Sequence, residues 1–149
     1  MRALLQRVTR ASVTVDGSCV GEIGHGLLVL LGLDRGDDRE CAGRLLDKLL
    51  AYRVFPDDQG RMNRSVADTG GGVLLVSQFT LSADTRKGLR PSFSSALPAE
   101  DAEALYADCL DMLHERHPVV AAGVFVADMK VELVIDGTVT FLLEVQGAA

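Results

Sequence analysis

Val73-Leu74-Leu75-Val76-Ser77-Gln78-Phe79-Thr80-Leu81 is the stretch on which the fold of this chain turns. It begins as four consecutive apolar residues behind Gly70-Gly71-Gly72, the pattern of a buried strand bounded by a turn. It breaks off in Ser77-Gln78-Phe79-Thr80, where two hydroxyls and an amide emerge from one strand end. Strand ends are where rigid scaffolds place binding and catalytic groups.

Upstream, residues 3–8 alternate weakly and read as a strand, and Ser12 to Val15 reads as another. Asp16-Gly17 is a hairpin signal leading into Val20 to Ile23. Leu27-Leu28-Val29-Leu30-Leu31 is continuously apolar between glycines, which suits a central strand. Asp37-Asp38 offers an N-cap and favourable first-turn charge. Cys41, Leu45, Leu46, Leu49 and Leu50 then recur at helical spacing, with Arg44, Asp47 and Lys48 on the other face. Phe55 to Gly60 reads as a turn.

Downstream, residues 82–96 carry Gly88, Pro91 and several serines and read as a long loop, of the kind that is usually functional in a compact domain. Pro98 suits the first turn of a second helix. Its apolar stripe runs through Ala102, Leu105, Tyr106, Cys109, Leu110 and Leu113, and it ends at His117-Pro118. Val119 to Val145 is strand-like, with a hairpin turn expected at Asp136-Gly137. The expectation is one α/β domain over 1–149, mixed β-sheets with two main helices.

At 149 residues, one domain is the natural prior, and such a domain buries roughly 68–70% of its unfolded surface. Hydrophobic residues make up 48% of the chain, which excludes a disordered protein. No apolar run approaches the ~20 residues of a membrane span, and Met1 to Arg7 is too short and polar for a signal peptide. Cys19, Cys41 and Cys109 are odd in number and form no metal or redox spacing, which points to a reducing, cytoplasmic setting. The net charge of −6 argues against broad electrostatic binding of nucleic acid. No DNA or membrane partner is expected. Arg86, Lys87 and Arg90, in one glycine-containing loop just after Thr80, could still neutralise a few phosphates.

Schemes based on a side-chain nucleophile do poorly. There is no Gly-x-Ser-x-Gly elbow. His25 lies in a glycine-flanked turn; His114 and His117 sit at a helix end, where a cation suits the dipole. Their i, i+3 spacing has no carboxylate motif beside it, so no metal or cofactor is expected. Most acidic residues read as solvating helix faces.

Four segments carry a resemblance. They are Gln6-Arg7-Val8-Thr9-Arg10-Ala11-Ser12-Val13, Ser77-Gln78-Phe79-Thr80-Leu81, Arg90-Pro91-Ser92-Phe93 and Ala127-Asp128-Met129. Together, over nearly the whole chain, the sequence closely resembles the D-aminoacyl-tRNA deacylase family. The resemblance implies a dimer-forming deacylase-type fold that hydrolyses the ester of mischarged D-aminoacyl-tRNA without a cofactor. Such an ester is already reactive, so hydrolysis needs a positioned ester, a water and donors aimed at the developing oxyanion. By resemblance, Phe79 and Thr80 contribute main-chain donors, and Ser77 and Gln78 hold the local geometry. Met129 lies near the terminal adenosine, and Arg86, Lys87 and Arg90 are candidates to contact the tRNA 3′ end. The terminal ribose hydroxyl of the tRNA would stand in for a protein base.

One segment departs from the family. Relatives carry Asn-x-Gly-Pro before Val-Thr-Phe, and a cis Gly-Pro pair from one subunit enters the other's pocket to reject L-amino acids. Here Ile135-Asp136-Gly137-Thr138 precedes Val139-Thr140-Phe141, while Arg7, which supports the pair in relatives, is retained. Arg7, Gly137 and Thr138 are thus the expected substrate-binding group of a cross-subunit site in a homodimer. A cis bond before a residue other than proline costs about 2.5–4 kcal/mol, so a trans Gly137-Thr138 bond is expected. Glycine or small L-residues should then also be removed. The alternative is a catalytically weak protein of the same fold that holds a tRNA end or a small molecule.

Overall fold

The computed structural model describes residues 1–147; Ala148 and Ala149, the end of the expected 1–149 domain, lie outside the described residues. The chain folds as a mixed α/β domain around one sheet. Strand β1 (Arg2–Val15) turns through Asp16 and Gly17, whose φ values of 49° and 80° are those of a type I′ hairpin, into β2 (Ser18–Ile23). The two strands expected within residues 3–15 are therefore one. Thr9 and Arg10, exposed mid-strand, mark where β1 passes from one neighbour to the next. Its first half pairs antiparallel with β3 (Gly26–Gly32) and its second half with β2.

Helix α1 (Arg39–Ala51) starts where expected, with the Asp38 carboxylate accepting the Cys41 N–H at 2.9 Å. A two-stranded ribbon, β4 (Phe55–Pro56) and β5 (Met62–Arg64), follows. The single turn α2 (Val66–Thr69) has a Ser65/Asp68 capping box and ends on Gly70 at φ 70°. Strand β6 (Gly72–Ser77) then lies parallel to β3, with Leu28 opposite Leu74 and Leu31 opposite Ser77. A 3₁₀ turn (Phe79–Ser82) and the long loop lead to α3 (Ala99–Arg116), and β7 (Val120–Ala122) adds in parallel to β6.

The unbroken apolar runs follow from burial on both faces of β3 and β6. One face, with Leu27, Val29, Leu31, Val73 and Leu75, packs under α1 and α3. The other, with Leu28, Leu74 and Val76, packs on Val8, Ala11 and Val13 of β1. His117, expected as a cation at the end of α3, is instead buried, with Nε2 2.6 Å from the Gly71 carbonyl oxygen.

Strand β8 (Lys130–Glu144) corrects the expected hairpin at Asp136-Gly137. Gln6 faces Thr140 and Val8 faces Ile135, so Arg7 alone stands opposite 136–139. Both halves of β8 run antiparallel to the same strand β1, so the chain does not reverse: the segment is a bulge. An Asp-Gly pair signals a hairpin only where its flanking strands pair with each other, and here they do not.

Candidate active site

Strand β6 delivers the site. The Gln78 N–H makes the last ladder bond, to the Leu31 carbonyl at 2.8 Å, and the backbone then tightens into the 3₁₀ turn. The first N–H groups of a helical turn have no acceptor within it. Among the described residues, the Phe79 and Thr80 amides donate to no acceptor elsewhere. The turn is fixed from behind: the Leu81 N–H donates to the Gln78 carbonyl at 3.1 Å, and the buried Ser82 hydroxyl to the Leu33 carbonyl at 3.3 Å. The Gln78 side-chain amide donates to the Thr80 hydroxyl, tying the two residues on either side of Phe79.

A cavity of about 550 Å³ opens beside this turn. Ser77, Gln78, Phe79 and Met129 all line it, while Thr80 sits exposed next to it. Phe79 is 62% exposed, and Phe93 stands against its ring with centroids 5.2 Å apart. The facing wall is the segment 123–129. It hangs on the Leu75 carbonyl, which accepts both the Gly123 N–H at 2.9 Å and the Tyr106 hydroxyl at 3.1 Å. Burial pushes the Tyr106 phenol up to about 12, so it remains a donor. Its ring packs on Phe125 at 5.8 Å.

Val126 forms the lip of that wall at φ 66°, in a turn closed by the Ala127 N–H to the Val124 carbonyl at 3.3 Å. This is the slot that type II turns reserve for glycine or asparagine, and a left-handed L-residue costs about 1–2 kcal/mol. Val126→Gly is therefore expected to stabilise the fold by about 0.5–1 kcal/mol after the added chain entropy is subtracted. A urea titration that gives a lower midpoint would contradict that strain.

The structure does not bring the other expected residues into this cavity. Arg7 is buried within the chain, with Nη1 donating to the Val54 carbonyl at 2.7 Å and Nε to the Asp136 carbonyl at 3.1 Å. It clasps the bulge: a Cβ on Gly137, whose φ is 125°, would lie 2.6 Å from Arg7 Nη2. The Gly137–Thr138 peptide bond is trans. Arg86 is engaged by Asp84, with Nε and Nη2 at 2.9 and 2.8 Å. That hydrogen-bonded pairing holds the Asp84 carboxyl well below the usual carboxylate range. Lys87 and Arg90 lie exposed in the same loop without ion pairs among the described residues.

Arg35, Phe125 and Val126 were not singled out from the sequence, although they line the cavity. One signal for Arg35 was available. Leu27–Leu31 and Val73–Val76 read as buried strands, and ligands in such sheets gather outside the carboxyl ends of parallel neighbours. No three His, Cys, Asp or Glu side chains among the described residues converge in a way that could hold a metal.

A turn presenting unpaired amides beside an apolar, aromatic-walled cavity is an arrangement that can stabilise a developing oxyanion. The chain matches the family described as D-Tyr-tRNA(Tyr) deacylase over residues 4–144. It is 62% identical to the D-aminoacyl-tRNA deacylase of Azotobacter vinelandii, with 97% of this chain and 99% of that protein covered. The D-aminoacyl-tRNA deacylase of Stutzerimonas stutzeri is 61% identical over the same shares. A solved structure of a c-Myc DNA Unwinding Element Binding Protein superposes with a TM-score of 0.93 at 41% identity, covering 97% of this chain and 98% of that one. This chain belongs to the D-aminoacyl-tRNA deacylase family.

Proposed function

We propose that this protein hydrolyses the ester joining a D-amino acid to the 3′ end of tRNA. The observation that carries this reading is the pair of unengaged amides at Phe79 and Thr80, at the mouth of the cavity. Water adds to the ester carbonyl, and the carbonyl oxygen becomes an oxyanion to which the two N–H groups can donate. Collapse expels the ribose oxygen, which takes up a proton, leaving free amino acid and tRNA. The donors are fixed before reaction, so they cost no reorganisation when charge develops. The neighbouring ribose hydroxyl of the substrate serves as the proton relay that no protein side chain supplies.

The adenine fits against Phe79 and Phe93, since aromatic faces stack on any base for ~1–3 kcal/mol. Met129 closes the cavity from the other wall. Ser77 and Gln78 set the turn, and Lys87 and Arg90 lie within the loop that frames it. With a net charge of −6, contact is confined to the tRNA end. No helix among the described residues is long and apolar enough to cross a membrane.

The assembly that fits is a homodimer. Beyond β1, the outer edge of β8 has no partner strand among the described residues, and Val134, Phe141 and Leu142 are exposed along it. A strand of 15 residues with one unpaired edge invites pairing with a second chain. The Asp136–Thr138 bulge would then reach the neighbour's cavity. Sedimentation at micromolar concentration is expected to give a dimer; a monomer would remove the cross-subunit site.

The Gly137–Thr138 bond is trans, and in the proposed dimer the bulge carbonyls would turn away from the neighbouring pocket and leave more room at the substrate α-carbon. Glycine and small L-residues are therefore expected to be released more readily than by proline-containing relatives. Deacylation rates on matched D- and L-charged tRNA test both points. Binding of charged tRNA without release would favour the binding-protein reading, and strict D-selectivity would show that the missing proline is silent.

A further inference from the structure

The cavity is lined by one cation, Arg35, and one anion, Asp128. Asp128 is already engaged, with Lys130 Nζ at 3.2 Å. Arg35 makes no ion pair among the described residues, and it is not loose. Its Nε donates to the Ser94 carbonyl at 2.7 Å and its backbone N–H to the Ser95 carbonyl at 3.0 Å. The guanidinium plane is thereby held while both Nη groups lack a protein acceptor among the described residues. A guanidinium fork with both Nη groups free matches a phosphate oxygen pair. The nearby arginines differ in this respect. Arg2 and Arg86 line a smaller hollow of about 360 Å³, but Arg2 faces Asp34 at 3.4 Å and Arg86 faces Asp84 at 2.8 Å.

We propose that Arg35 is the phosphate anchor of the site. Its Nη groups take the phosphodiester that joins the terminal adenosine to the preceding nucleotide. This rests on the deacylase reading and adds a subsite to it. With the adenosine against Phe79 and Phe93, two charged parts of the substrate lie within reach of the rim. The α-amino group is cationic and is repelled by a guanidinium; the 5′ phosphate is anionic and is attracted. Arg35 is exposed and lies outside both hydrophobic clusters, so replacing it leaves the fold intact.

The test compares Arg35→Gln with the unmodified protein on D-tyrosyl-tRNA and on D-tyrosyl-adenosine, which has no 5′ phosphate. For the tRNA substrate, the expected result is a rise in KM of about tenfold or more, the loss of one charge-assisted contact, with kcat within twofold. For D-tyrosyl-adenosine no change in KM is expected. The slope of log KM against log salt for tRNA should also become shallower by about 0.7, one single-strand phosphate contact. An equal rise on both substrates, or none on tRNA, overturns the proposal. Binding of an uncharged RNA minihelix ending in CCA is measured in parallel. If the unmodified protein cleaves neither substrate, the deacylase reading fails, and the minihelix decides the anchor. Weaker binding by Arg35→Gln supports it, and equal binding overturns it.

Discussion

Phe79→Pro is expected to lower kcat by about 10²–10³ beyond the effect of Phe79→Ala, the usual cost of removing one oxyanion donor. The comparison isolates a single N–H. Phe79 opens the 3₁₀ turn, and proline is tolerated at the first position of a helical turn because the missing donor has no partner there anyway. Gln78 precedes it at φ −141° and ψ 83°, outside the helical region that proline forbids to its predecessor. Both variants lose the ring that stands 5.2 Å from Phe93. Alanine alone should therefore raise KM by about 5- to 150-fold, the range of one base–aromatic stack, and proline should add the loss in kcat. Equal kcat for the two variants, with unchanged circular dichroism, would mean that the Phe79 amide does not face the reacting carbonyl.

The second large effect concerns the frame that carries the site. Gly26→Ala is expected to destabilise the fold by about 3 kcal/mol, the upper end of typical overpacking costs. Gly26 faces Gly72 across the parallel pair, and an added Cβ would lie 1.9 Å from the Gly72 carbonyl oxygen and 2.7 Å from its nitrogen. Backbone on both sides cannot give way without opening the ladder that runs from Leu27–Val73 to Leu31–Ser77. The urea midpoint should fall with an unchanged slope. A loss below about 1 kcal/mol would show that β3 and β6 slide more easily than their register implies.

These two positions also show what was legible in the sequence. The apolar runs at Leu27–Leu31 and Val73–Val76 gave away strands buried on both faces, and the Ser77–Thr80 break located the site. Asp38 and Pro98 marked the helix starts because capping is a local matter. Long-range partners were not legible. Resemblance alone ties Arg7 to the Gly137-Thr138 segment; its burial, with bonds to carbonyls 47 and 129 positions away, has no local signature. The Asp136-Gly137 pair reads as a hairpin because its local chemistry is that of one; only pairing of both flanks with β1 makes it a bulge. Arg86 reads as a free cation, but Asp84, two residues before it, already neutralises it. Arg35 gained its place from the Ser94 and Ser95 carbonyls, which the fold brings to it across 59 and 60 positions (35 to 94 and 95).

We propose that main-chain donors on one strand end promote hydrolysis of a D-aminoacyl ester without help from a metal or a protein base. The most direct measurement is release of D-tyrosine from D-tyrosyl-tRNA under single-turnover conditions, before and after dialysis against a chelator. The expected result is release well above the spontaneous rate and unchanged by the chelator. Absence of release, or activity lost in chelator and restored by zinc, would contradict the claim.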